Sequence, residues 1–160
     1  MQARAGLLTP DAAREKLRAG FERGRNDNGN AELTLRELSA VMREKRAFMR
    51  VYWSGALYFL QADLQLRKRA TTDSRVNSLD DVLREFSDCC LNAPGRWSGL
   101  DLAGEFDRIS ATDTFTTLYS EYALSTAIPP YEGLLNDPEL DIVLGVTRQR
   151  TNNGSNFEAR

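Results

Sequence analysis

The side chains that could do chemistry gather in the most apolar stretch of this chain, VYWSGALYFL at residues 51–60. Tyr52, Ser54 and Tyr58 place three hydroxyl groups among its apolar neighbours. A tyrosine phenol is protonated at neutral pH and can donate a hydrogen bond to an oxygen that gains negative charge. A serine hydroxyl becomes a nucleophile only beside a general base. The stretch is therefore a core helix, and either it is purely structural or one of its hydroxyl groups takes part in catalysis.

The rest of the chain does not supply a complete hydrolytic site. It contains no histidine, which removes the commonest neutral-pH base and the commonest zinc ligand. It has no glycine-rich phosphate loop and no GxSxG, CxxC or HExxH motif. Carboxylates are numerous, but their spacing does not show which of them would face each other in a cleft. A helical enzyme that works with carboxylates alone remains a third hypothesis beside the two developed below.

Composition limits the class of protein. The 160 residues suit one domain, and 41% hydrophobic with 28% charged residues is typical of a soluble protein. The net charge of −2 gives no basic surface, so we expect no nucleic acid partner. No apolar run is long enough to cross a membrane, and the first ten residues do not resemble a signal peptide. The sequence therefore predicts neither a membrane-spanning segment nor a targeting signal in these residues.

Helix-start signals and apolar spacing predict the elements. Thr9 before Pro10 should begin the first helix, and Thr34 with Glu37 forms a capping box. One long helix is expected from 48 to 69, apolar on nearly every side at first and amphipathic later. Ser78 should cap the next helix.

Two shorter helices should follow the Ser78 helix, and residues 141–146 could form one short strand. Residues 147–160 are predicted to be a polar, mobile tail behind a helical subdomain at 1–146. The fold class is therefore all-α, with about five or six helices.

Four other residues carry specific expectations. Gly55 inside a helix costs up to about 1 kcal/mol relative to alanine, which suggests that another element packs closely there. Asp63 should pair with Arg67 one turn later or cap a neighbouring helix. The adjacent Cys89 and Cys90 are expected to be small unbridged helix residues, because adjacent cysteines rarely form a disulfide.

An ordered set of residues resembles a known family. YWSGALYFLQADLQLRKRATTDSRVNSLDDVLREF, at 52–86, is similar to the segment downstream of the zinc motif in glycyl-aminopeptidase-like metallopeptidases, which are thermolysin-like gluzincins. The opening ARAGLLTPDAAREKL resembles the segment after their third zinc ligand, so the likeness covers roughly residues 3–125. The matching positions are Tyr52, Gly55, Ala56, Leu57, Asp63, Leu64, Leu66, Arg67, Ser78, Leu79, Asp80, Asp81 and Val82.

The resemblance implies a fold and a function. This chain would be the C-terminal helical lobe of a zinc aminopeptidase, and its partner would be an N-terminal half that carries HExxH and binds zinc. The chain itself would hold no cofactor and cleave no peptide alone. Tyr52 would donate a hydrogen bond to the oxyanion of the peptide substrate, with Trp53 and Ser54 as candidates for the cleft wall. Ser54 departs from the family, which commonly has lysine there.

A different class of protein is the main alternative. A stand-alone helical interaction domain could keep this fold without the chemistry, and both Ser54 and the missing histidines favour it. Without the resemblance, Tyr52 is expected to be a buried tyrosine with a local hydrogen-bond partner. The catalytic reading instead predicts that Tyr52 lies beside an open groove or an exposed apolar patch. The position of this one hydroxyl therefore tests the catalytic role of Tyr52.

Overall fold

The regular structure is entirely helical in the residues that the computed structural model describes, which are 5–72, 74–91 and 96–145. The five longest helices have 11 to 22 residues, in agreement with the predicted all-α class. In chain order the helices of these ranges are α1 (Pro10–Asn26), α2 (Leu35–Ala40), α3 (Met42–Lys45), α4 (Phe48–Arg69), α5 (Leu79–Cys89), α6 (Gly99–Ser110), α7 (Thr114–Leu124), α8 (Glu132–Leu135) and α9 (Pro138–Val143).

The predicted helix starts are confirmed. The Thr9 hydroxyl accepts a hydrogen bond from the backbone N–H of Ala12 at 3.2 Å, and Pro10 is the first residue of α1. Thr34 and Glu37 form the reciprocal capping box of α2. Each cap satisfies backbone N–H groups that the first turn of a helix leaves unpaired.

Helix α4 is the centre of the fold. It packs against α1 on one side and α7 on another, and it also contacts α2, α5 and α9. Leu57 and Leu64 lie in the core that these helices share, and both are almost fully buried. No helix in the described ranges is both long and apolar enough to cross a bilayer.

Two local predictions are wrong. Residues 138–143 form α9 and not a strand, because Asp137 caps the helix from its side chain and Pro138 fits the first helical position. Cys89 and Cys90 are joined by a disulfide at the end of α5, where the chain leaves the helix. The boundary between the predicted domain at 1–146 and the tail at 147–160 lies outside the described residues.

Candidate functional site

The three predicted site residues are consecutive in α4, and the helix turns their side chains in different directions. Successive residues of an α-helix are turned by about 100° around its axis. Tyr52, Trp53 and Ser54 therefore point in three different directions and cannot converge on one small ligand. Their environments differ accordingly: Tyr52 is exposed, Trp53 is half-buried and Ser54 is buried.

Tyr52 lies on an exposed apolar face. Its side chain is 62% exposed, and its hydroxyl has no hydrogen-bond partner among the described residues. We call this face the α4 stripe; its members share one side of the helix by their spacing and are Phe48, Met49, Tyr52, Ala56 and Phe59. The tyrosine is thus beside an apolar patch, and it is not buried with a local partner. Its catalytic role stays a prediction.

Trp53 packs between α4 and α1. Its indole lies over Gly20, where an added Cβ would come within 2.1 Å of the ring, and its Cβ lies over Gly24. The ring also meets Phe21 edge-to-face at 5.8 Å between centroids. We call the contact of Gly20, Gly24 and Trp53 the α1–α4 seam. These contacts hold the ring between the two helices, so Trp53 contributes mainly to the packing of α1 against α4.

Ser54 lines a cleft on another side of α4. The residue is 1% exposed, and the cleft beside it has a volume of about 400 Å³. The cleft lies between α2, α4, α6 and α7. Of the predicted site residues, Ser54 is the one that this cleft includes.

A buried arginine fixes the start of α4, and nothing in the local sequence pattern indicated it. Arg50 is 2% exposed and donates hydrogen bonds from Nη1 to the carbonyl oxygen of Asn30 and from Nη2 to those of Leu33 and Ser125. Burial lowers the pKa of its guanidinium, although Asp27 opposes this. Because these carbonyls belong to distant segments, Arg50 ties the helix that carries Tyr52 to the rest of the fold.

The second half of α4 is fixed by Asp63. Its Oδ1 accepts a hydrogen bond from the backbone N–H of Leu79 at 2.8 Å and lies 3.1 Å from Nε of Arg67. Both of the roles expected for Asp63, pairing with Arg67 and capping a neighbour, are therefore confirmed. The carboxylate is occupied by these structural contacts and is a poor candidate for a catalytic base.

The chain does not offer the ligands that the resemblance would require for zinc. It has no histidine. Within the described ranges, one group of three possible ligands lies close together: Cys89, Cys90 and Glu105. The two sulfur atoms are bonded to each other, and a hydrogen bond from Arg108 engages Glu105 and lowers its pKa. A disulfide provides no thiolate, so these residues do not fit the metal of the resembling family.

Comparisons of the chain with protein-family models, with curated proteins and with solved structures find no match. The likeness to gluzincin peptidases therefore rests on the ordered motif residues between 52 and 86 and on the opening segment.

Proposed function

We propose that this chain provides the helical part of a zinc-dependent aminopeptidase and presents the Tyr52 hydroxyl to a peptide substrate. One observation carries the proposal: Tyr52 lies exposed on the α4 stripe, with its hydroxyl free to meet a group from outside the described residues. A tyrosine that served only the core would be buried and paired. The ordered motif residues support the same conclusion.

The α4 stripe is the surface where the zinc-binding half would dock. Phe48, Met49 and Phe59 are each more than a third exposed, which is unusual for large apolar side chains on a helix that is otherwise the centre of the core. Burying them against a second lobe would place Tyr52 at the junction of the two parts. Since this chain has no fitting zinc ligands, it is expected to be inactive alone, and we derive no step of hydrolysis from it.

What the chain itself would contribute is a neutral donor. The phenol of Tyr52 can donate a hydrogen bond to a substrate oxygen without a change in its own charge. Such a donor is most effective where water is excluded, because electrostatic interactions are then less screened. Docking of a second lobe over the stripe would provide that exclusion.

The test begins with the reading frame upstream of Met1. We expect it to encode HExxH followed by a further glutamate, and its full product to hydrolyse aminoacyl anilides only with zinc. Tyr52→Phe should lower kcat of that product by about 10²–10³-fold, the usual loss for one oxyanion donor. Tyr131→Phe is the matched control, because Tyr131 is buried away from the stripe and its hydroxyl also makes no hydrogen bond in the described part of the chain.

Three results of activity assays would contradict the proposal. They are a full product that is inactive with an intact HExxH, a Tyr52→Phe enzyme with unchanged kcat, and peptidase activity in the 160-residue chain alone. A reading frame that starts at Met1 with no upstream zinc motif would also exclude it and leave the interaction domain.

The surroundings of Ser54 favour the alternative function, a stand-alone helical interaction domain. A lysine at this position would bring a charge into the wall of the cleft, whereas serine leaves the wall uncharged there. In this alternative the α4 stripe binds another protein and Tyr52 is one of its contact residues. Tyrosine is common in such contacts, because it combines a large apolar surface with one polar group.

A further inference from the structure

The cleft beside Ser54 has the properties of a small-molecule site, independently of the proposed function. Its volume of about 400 Å³ lies within the range of about 300–1,000 Å³ that is common for ligand pockets. Most of its lining is apolar or aromatic and includes Phe59, Phe106 and Leu102. Such a cleft favours the apolar body of a ligand.

The missing side chain of Gly55 leaves room for the cleft beside α4. A glycine in the middle of a helix is less favourable than alanine, and we expected a closely packed element to require it. The structure contradicts that expectation, because a Cβ built at Gly55 would meet no atom within 4 Å. Gly55 lines the cleft, so a side chain there would extend into it. The glycine therefore preserves open volume.

Three tyrosines line the cleft, Tyr58, Tyr119 and Tyr122, and the protein engages the hydroxyls of Tyr58 and Tyr122. Tyr58 donates a hydrogen bond from its hydroxyl to the carbonyl oxygen of Phe115 at 3.0 Å, and Tyr122 donates to Oε1 of Gln61 at 2.7 Å. Burial raises the pKa of both phenols, so they stay protonated and uncharged. These residues accordingly present ring surface to the cleft, and an uncharged, apolar ligand body fits between them.

One charged residue lines the cleft. Arg36 of α2 is exposed, and in the described ranges it makes no hydrogen bond or ion pair. The carboxylate of the adjacent Glu37 accepts hydrogen bonds from Thr34 in the capping box, and the charge of Arg36 acts on it without an ion pair, as the smallest of the effects on its pKa. A guanidinium in this position can bind a carboxylate through two parallel hydrogen bonds.

The geometry points to a binding site for a small monocarboxylate with an apolar body, whose chain or ring occupies the space beside Gly55 while its carboxylate meets Arg36. The cleft and the α4 stripe share Phe59, but Tyr52 does not line the cleft, so the two surfaces differ in their polar groups. Aliphatic acids of about eight to twelve carbons, or aryl carboxylates of similar size, suit this volume.

The test uses octanoate and 1-octanol as probes on the 160-residue chain. Two-dimensional NMR titrations at low ionic strength should show shifts at cleft residues, with octanoate binding at least about tenfold more tightly than 1-octanol, because one charge-assisted contact is worth roughly that factor. Gly55→Leu should weaken octanoate at least about tenfold by filling the cleft. Arg36→Gln should remove the preference for octanoate and leave 1-octanol binding unchanged.

A matched control comes from the other open helical glycine. Gly104 of α6 also has no atom within 4 Å of an added Cβ, and it does not line the cleft, so Gly104→Leu should bind octanoate as the unchanged chain does. The exposed Arg36→Gln variant keeps the test valid if Gly55→Leu does not fold. No shifts with either probe would overturn the proposal, as would 1-octanol binding equal to octanoate or octanoate binding that survives Gly55→Leu. Concentration-dependent self-association through the cleft in sedimentation, without octanoate binding, would also overturn it.

Discussion

On one side of α4 the indole of Trp53 fills the space above Gly20, and on another side Gly55 faces the open cleft. Both glycines are interior residues of helices, and the sequence gives no sign that they differ. At Gly20 an added Cβ would lie 2.1 Å from the tryptophan ring, whereas at Gly55 it would meet nothing within 4 Å. A glycine in a helix can thus permit close packing or preserve empty space.

The two sides of α4 differ in how tightly they are packed, and therefore in what they contribute to stability. The α1–α4 seam is closed, and its aromatic contacts stabilise the position of α4 against α1. The cleft is open, and its apolar walls lose the contacts that a filled interior would have. The open walls of the cleft therefore contribute less to stability than the filled seam does.

The largest expected effect is at the seam. Gly20→Ala should destabilise the chain by about 2–3 kcal/mol, because the new methyl group displaces Trp53, and this outweighs the better helix propensity of alanine. The free energy of unfolding from urea titration measures it. The double variant Gly20→Ala with Trp53→Ala should lose less than the two single changes together, since the clash disappears. Equal stability of Gly20→Ala and the unchanged chain would show that the seam is not closed.

At the cleft, a glycine-to-alanine change is expected to increase stability. Gly55→Ala should raise the free energy of unfolding by about 0.5–1 kcal/mol, because alanine is the better helix former and its methyl group meets no neighbour. Gly104→Ala is the control and should gain a similar amount, since it too projects into open space. Urea titrations of both variants measure the gain. A loss of stability at Gly55 alone would mean that the cleft is narrower than described.

Local patterns predicted much of the fold, because helix caps and amphipathic spacing act within a few residues. Thr9, the Thr34–Glu37 box and the bounds of α4 were readable from the sequence for this reason. Asp107 was not. It accepts hydrogen bonds from the backbone N–H groups of Phe115 and Thr116, so a residue of α6 caps the start of α7. A cap supplied by the preceding helix leaves no local pattern.

Tertiary contacts explain what the sequence did not show about the candidate site. The motif resemblance selected Tyr52, and the structure places it on an exposed face, but periodicity alone favoured burial. Arg50 has polar partners 17 to 75 residues away, so its spacing from them carries no signal. The cleft is a space between four helices, and no single segment of the sequence encodes such a space.

The smallest expected effect concerns the α2 wall of the cleft and its dependence on pH. The hydrogen bond from the Thr34 hydroxyl lowers the pKa of Glu37, so the ionised carboxylate stabilises the capping box. This contribution is fully present above the unfolded pKa of about 4.3 and is lost as the pH falls through the lower folded value. Amide protection factors for Leu38 should therefore fall below about pH 4, measured by hydrogen exchange while circular dichroism stays native.

The seam provides the internal reference for this last experiment. The contact between the rings of Phe21 and Trp53 involves no ionisable group, so protection of the Phe21 amide should stay constant. Glu37→Gln keeps a hydrogen-bonding group at the capping-box position but cannot ionise, and it should abolish the pH dependence at Leu38. Equal losses at Leu38 and Phe21 would indicate global acid unfolding, and the cleft wall would then be no more sensitive to pH than the seam.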